Sequence, residues 1–119
     1  MAKIYGLHTI TLQPGVRTDE FERFFVEQLA PAIPFPGWRG RLLKGDRGER
    51  AGQYLILWEI DSVATRDRYY PAPDTPSEEA QRLIAAEPFA SLWPKLVAML
   101  AQSWGSLFTD YVEVTHESA

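Results

Sequence analysis

The sequence predicts an α+β fold of βαββαβ order, four antiparallel strands with the helices gathered on one face. Three observations carry this. Stretches with the two-residue period of strands lie at both ends of the chain and in its middle. Stretches with helical period fill the two intervals between them, and turns bearing Pro or Gly separate the segments. At 119 residues the chain is expected to be a single domain over residues 1–119. Folding at that size buries roughly 65% of the unfolded surface, enough for one core.

The first strand is read as Ile4 to Leu12, where Thr9 and Thr11 alternate with His8, Ile10 and Leu12. Pro14-Gly15 turns the chain. Thr18 is the expected N-cap of the first helix, with Asp19 and Glu20 at its positive end. Phe21, Phe24, Phe25 and Leu29 fall on one face of it. The prolines at 31, 34 and 36 end that helix in a connection.

Two strands follow, about Trp38 to Lys44 and Gln53 to Ile60, joined by a solvated hairpin that contains Gly45, Gly48 and Gly52. Tyr54-Leu55-Ile56-Leu57-Trp58 is apolar on both faces, which marks a central strand. Asp61-Ser62 caps a short helix that stops before Pro71. Pro71-Ala72-Pro73-Asp74 is expected to be a mobile connection, because its prolines deny it ladder bonds. Thr75-Pro76-Ser77-Glu78 reads as a capping box that starts an extra helix. Phe89, Leu92, Trp93, Leu96, Val97 and Leu100 keep helical spacing and form the longest apolar stripe, with Pro94 predicting a kink or a restart. Gly105 is expected to end that helix, and Leu107 to Val114 is the last strand.

This order is the ferredoxin-like arrangement. Helices cover only one face of such a sheet. Because the third strand is apolar on both faces, a second copy is expected to cover the other, giving a homodimer.

Composition narrows the function. Hydrophobic content of 45% and charged content of 24% are those of a globular chain. The absence of cysteine excludes disulfides, thiolate metal sites and Cys nucleophiles. A net charge of −4 argues against nucleic acid as a partner. No apolar run reaches membrane-spanning length and the start does not read as a signal peptide, so a cytoplasmic location is expected. His8 and His116 stand at opposite ends of the chain without ligand spacing, so no metal site is predicted.

His8 is the candidate catalytic residue. It lies mid-strand, beside Gly6 and Ile10 on its own face, and a buried imidazole can act as acid or base. The competing reading is a core histidine with a hydrogen-bonded neighbour. Gly6 leaves room either for a ligand or for a neighbouring ring. Tyr54, Trp58, Trp93 and Tyr69, with Tyr70, are candidates to line an apolar pocket, against the alternative of an aromatic-rich core. Arg66 to Tyr70 could set a cation and a phenol at the pocket mouth, or form a solvated helix face.

The run Thr9-Ile10-Thr11-Leu12-Gln13-Pro14-Gly15, followed by Glu20-Phe21, resembles the strand, Pro-Gly turn and helix start of the dimeric α/β-barrel superfamily. Tyr54 to Ser62 is similar to that superfamily's third strand and its Asp-Ser helix start, and Phe89 to Leu100 to its second long helix. The resemblance implies a dimeric barrel like those of the antibiotic-biosynthesis monooxygenases, muconolactone isomerases and related small proteins, with Pro71 to Glu87 as an insertion carrying the extra helix. In the heme-degrading members an Asn, a Trp and a His form the site. Those positions fall here on His8, Ile60 and Trp93, so no heme and no other cofactor is expected. What the resemblance implies is a small-molecule-binding protein, a cofactor-independent monooxygenase or isomerase for an apolar, aromatic substrate. The alternative left open is a non-catalytic dimerisation or ligand-sensing domain.

Overall fold

The computed structural model describes residues 2–102 and 107–114. Its elements are β1 (Ile4–Ile10), α1 (Thr18–Phe24), β2 (Trp38–Lys44), β3 (Tyr54–Ile60), α2 (Val63–Tyr69), α3 (Glu78–Ile84), α4 (Phe89–Met99) and β4 (Phe108–Val112). The first helix runs on through a π-helical turn, Phe25–Leu29, and a 3₁₀ turn, Ala30–Ala32. Pro34 and Pro36 follow and cannot extend it.

The sheet has the order β2-β3-β1-β4, and every pairing is antiparallel. The doubly apolar segment is thus a central strand, as its sequence requires. Alternation along β1 and β3 sorts the side chains cleanly. Ile4, His8, Ile10, Tyr54, Ile56, Trp58 and Ile60 are buried on the helix side, where Phe21, Phe25, Leu29, Phe89 and Leu96 meet the strands. Each such aliphatic or aromatic side chain contributes about 1.5–3 kcal/mol on burial. The opposite face carries Tyr5, Leu7, Leu55 and Leu57, all half-buried, and Leu43 and Tyr111, both exposed.

Several element ends differ from expectation, each for a local reason. β1 stops at Ile10 because Thr11 and Gln13 turn to bond the end of α4. The Ala101 amide donates to the Thr11 carbonyl at 2.8 Å and the Gln13 amide to Met99 at 2.8 Å. Thr18 is the first residue of α1 and not its cap. Arg17 takes that place, without a capping side chain. Helix α3 starts two residues later than its capping box suggested. Thr75 donates its hydroxyl to the Pro73 carbonyl within the preceding turn, and Ser77 caps instead, accepting from the Ala80 amide at 3.2 Å. Ser62 caps α2 in the same way, at 3.1 Å from the Thr65 amide. Helix α4 is one element from Phe89 to Met99 with Pro94 inside it. Gly105 and His116 lie outside the described residues.

The segment from Pro71 to Pro76 forms a strap tied by backbone and side-chain bonds. Ala72 bridges Thr75, and the Ser77 amide donates to the Tyr69 carbonyl at 2.8 Å. Arg68 grips Glu79 through two bonds, of 2.9 and 2.8 Å, across its base. Tyr69, Phe35 and Ala80 form a small second core beneath it. Among the described residues no helix is long and apolar enough to cross a membrane.

The hairpin between β2 and β3 is pinched at Gly45. Its amide donates to Gln53 and its carbonyl accepts from Gly52, at 2.8 and 2.7 Å. A Cβ there would stand 1.9 Å from the Arg50 carbonyl oxygen, a backbone atom that cannot yield cheaply. Gly45→Ala is expected to cost about 1–3 kcal/mol through this overpacking. In thermal unfolding the melting point should fall by roughly 4–12 °C. An unchanged melting point would mean that the neck is looser than drawn.

Candidate functional site

Between the helix side of the sheet and the strap lies a cleft of about 580 Å³. Alternation in β1 and β3 turns His8, Trp58 and Ile60 toward it, and β2 adds Trp38. One wall is Phe89 and Trp93, a turn apart on α4 and stacked at 5.4 Å between ring centroids. Phe35 and Ile33 make the other wall, Tyr70 lies at the end of α2, and the strap adds Ala72 and Asp74.

His8 is fully buried, and the Phe108 ring stands edge-on against it at 5.5 Å. Gly6 makes this possible. It lies opposite Asp110 in the register, and a Cβ on it would come within 3.1 Å of the Phe108 ring and 3.0 Å of Asp110 Oδ1. The space that Gly6 leaves is filled by a neighbouring ring. Trp58 is also nearly buried and meets Trp38 edge-to-face at 6.4 Å.

Of the residues singled out in the sequence, His8, Trp58 and Trp93 line the cleft together, and Tyr54 and Tyr69 do not. Tyr54 opens β3 at the far end of the sheet. There its hydroxyl donates to Glu22, and Lys44 lies 5.6 Å above its ring. That hydrogen bond, with Lys44 beside it, holds the Glu22 carboxyl below its ordinary range, while burial raises the Tyr54 phenol. Tyr69 is 1% exposed and packs on Phe35 at 5.1 Å, below the strap. Its neighbour Tyr70 is the phenol that reaches the cleft, and burial, then Asp74, raises its pKa.

The polar end of the cleft was only half legible. Arg66 reaches it, as a cation at the mouth of the pocket would, whereas Arg68 turns outward to Glu79. Arg66 donates to Asp67 at 3.1 Å and to Asp110 at 3.2 Å. Burial opposes its charge, the two carboxylates outweigh that, and the guanidinium pKa rises. Asp110, Phe108 and Trp38 drew no attention in the sequence, since their place depends on strand register. Asp110 Oδ1 and Trp38 Nε1 are buried and have no hydrogen-bond partner among the described residues. No group of three His, Asp or Glu side chains converges on a metal-sized site among those residues.

A four-stranded antiparallel sheet with helices on one face is the ferredoxin-like α+β fold. Solved structures share it along almost the whole chain. SnoaB of Streptomyces nogalater, a cofactor-independent oxygenase, is 14% identical, with 98% of this chain and 95% of that one covered and a TM-score of 0.52. An uncharacterised NIPSNAP-like domain protein of Burkholderia xenovorans is 15% identical over 98% and 88% of the two chains, with a TM-score of 0.59. A NIPSNAP family protein of Agrobacterium tumefaciens is 13% identical over 97% and 94%, with a TM-score of 0.58. No protein-family model and no curated protein sequence matches the chain. At such identities the likeness is one of fold, and one fold hosts many activities.

Proposed function

We propose that the chain is a cytoplasmic, homodimeric α/β-barrel protein that binds a small aromatic molecule in the cleft. We further propose that it acts on that molecule as a cofactor-independent monooxygenase or isomerase. The observation that carries the reading is the cleft itself, about 580 Å³ walled by indole and phenyl rings with an imidazole at its floor. Ligand pockets are of this kind, roughly 300–1,000 Å³, mostly apolar, with a few polar groups. Trp58 and Trp93 hold the flat faces of the ligand. His8 takes a proton from a ring CH2 acidified by a neighbouring carbonyl. In the oxygenase case the carbanion adds dioxygen to give a peroxide, which regains the proton and loses water with the carbon's second hydrogen, leaving a ring carbonyl. In the isomerase case the proton returns at another carbon. Tyr69 backs the wall through Phe35, and Tyr54, at the far end of the sheet, has no part in the site. The fold shared with a cofactor-independent oxygenase supports this choice of reaction.

One observation favours the second reading, a ligand-sensing or dimerisation domain without catalysis. His8 is fully buried against Phe108, so Phe108, itself 38% exposed, has to swing away before the imidazole meets a ligand. If it stays, His8 is a core group.

Naphthol tests both. Titration followed by tryptophan fluorescence should give saturable quenching, weakened about tenfold in Trp93→Ala, the loss of one good aromatic contact. In deuterated water, exchange of the naphthol ring proton should then be accelerated by the protein. His8→Ala should slow that exchange about a hundredfold, the usual worth of a positioned base. Exchange unchanged in His8→Ala would remove the proton role and leave the sensing domain. Without saturable binding, the aromatic-ligand reading falls and a non-catalytic dimerisation domain is left.

A further inference from the structure

We infer that the cleft selects its ligand by charge, taking aromatic cations and neutral aromatics and rejecting aromatic carboxylates. The inference rests on the reading of the cleft as a ligand site and adds the chemistry of the ligand's polar end. Four formally charged side chains line the cleft among the described residues, Arg66, Asp67, Asp74 and Asp110. One guanidinium faces three carboxylates, and it is already engaged by two of them, at 3.1 and 3.2 Å. Asp74 stands on the strap, and Tyr70 feels its charge.

The uncompensated field at the mouth is therefore negative. A low-dielectric, aromatic-walled cleft focuses such a field, whereas open solvent would screen it. Two further features point the same way. Asp110 Oδ1 is a buried carboxylate oxygen with no donor among the described residues, so a ligand N–H or O–H brought near it relieves a cost that a carboxylate would increase. The lining includes the indoles of Trp58 and Trp93, a ring type that attracts a cation through its quadrupole. An anionic ligand would have only Arg66, and would have to take it from Asp67 or Asp110.

Three probes of one shape separate the possibilities: naphthylmethylammonium, naphthylmethanol and naphthoate, titrated by calorimetry and tryptophan fluorescence at low salt. The ammonium is expected to bind at least about tenfold more tightly than naphthoate, with the alcohol between, and the ratio should shrink as salt is added. Asp67→Asn with Asp74→Asn should bring the ratio near one. Both side chains are exposed, and Asn accepts the positive φ of 55° at position 74, so the strap keeps its turn. Naphthoate binding as tightly as the ammonium would overturn the charge selection and leave the ligand site standing. A preference unchanged in the double variant would overturn its assignment to these carboxylates. If none of the three probes binds saturably, the ligand reading fails and the charge selection with it.

Discussion

Leu7→Glu is expected to weaken self-association about a thousandfold, so that light scattering at micromolar concentration reports the 13.5 kDa of one chain. Leu7 pairs with Leu57 across the two central strands, on the face that the helices leave open. Both are half-buried within a single chain, with Tyr5 and Leu55 on the same face and Tyr111 at its edge, 50% exposed. Such a surface belongs against another, and in the proposed homodimer a second copy would cover it with the same patch. A carboxylate at position 7 would then be buried without a cation, since its neighbours in the register are Leu57 and Thr109. In a two-fold homodimer the cost would be incurred twice and amount to about 4 kcal/mol or more, three powers of ten. In the monomer the same side chain reaches water, and circular dichroism should be unchanged. A persistent dimer would show that the chains associate elsewhere.

Strand identity was legible because it rests on local alternation. Tyr54 to Trp58 could only be central, and its position between β1 and β2 follows from apolar side chains on both faces. Helix starts were legible to within a residue or two, since Ser62 and Ser77 cap by bonds to residues three along. The end of β1 was not, because Thr11 and Gln13 bond to residues almost ninety positions away. The site divides along the same line. Tyr54 and Trp58 share a face, which the sequence states, but four strand residues separate them by about 13 Å, too far for one small ligand to touch both. Asp110 enters through the register of β4 against Gly6, and no local pattern encodes that register. The pair Tyr69 and Tyr70 shows the helical version of the problem. Tyr69 is the last residue of α2 and Tyr70 follows it with non-helical backbone, φ −133° and ψ 86°, so one enters the core and the other the cleft, and only the docking of α2 decides which.

Tyr69→Ala follows from that division and is the larger of the two substitutions at this pair. Tyr69 is 1% exposed, its ring lies 5.1 Å from Phe35 and 6.4 Å from Trp38, and the Arg68 guanidinium covers it at 5.3 Å. Removing a buried aromatic side chain of this size costs about 3–5 kcal/mol, transfer and cavity together. In urea the unfolding midpoint should fall accordingly, and the melting point by 10 °C or more at about 4 °C per kcal/mol. The loss falls on the small core under the strap, whose turn is tied to the Tyr69 backbone through the Ser77 amide. Limited proteolysis should therefore cut Tyr69→Ala between Pro71 and Asp74 faster than the parent chain, before any cut in β3. Tyr70→Ala, which trims the cleft wall at a half-buried position, should lower stability far less and affect naphthol affinity directly. If Tyr69→Ala unfolds at the parent's midpoint while Tyr70→Ala is the costly change, the two phenols have exchanged places and α2 is rotated from the orientation described above.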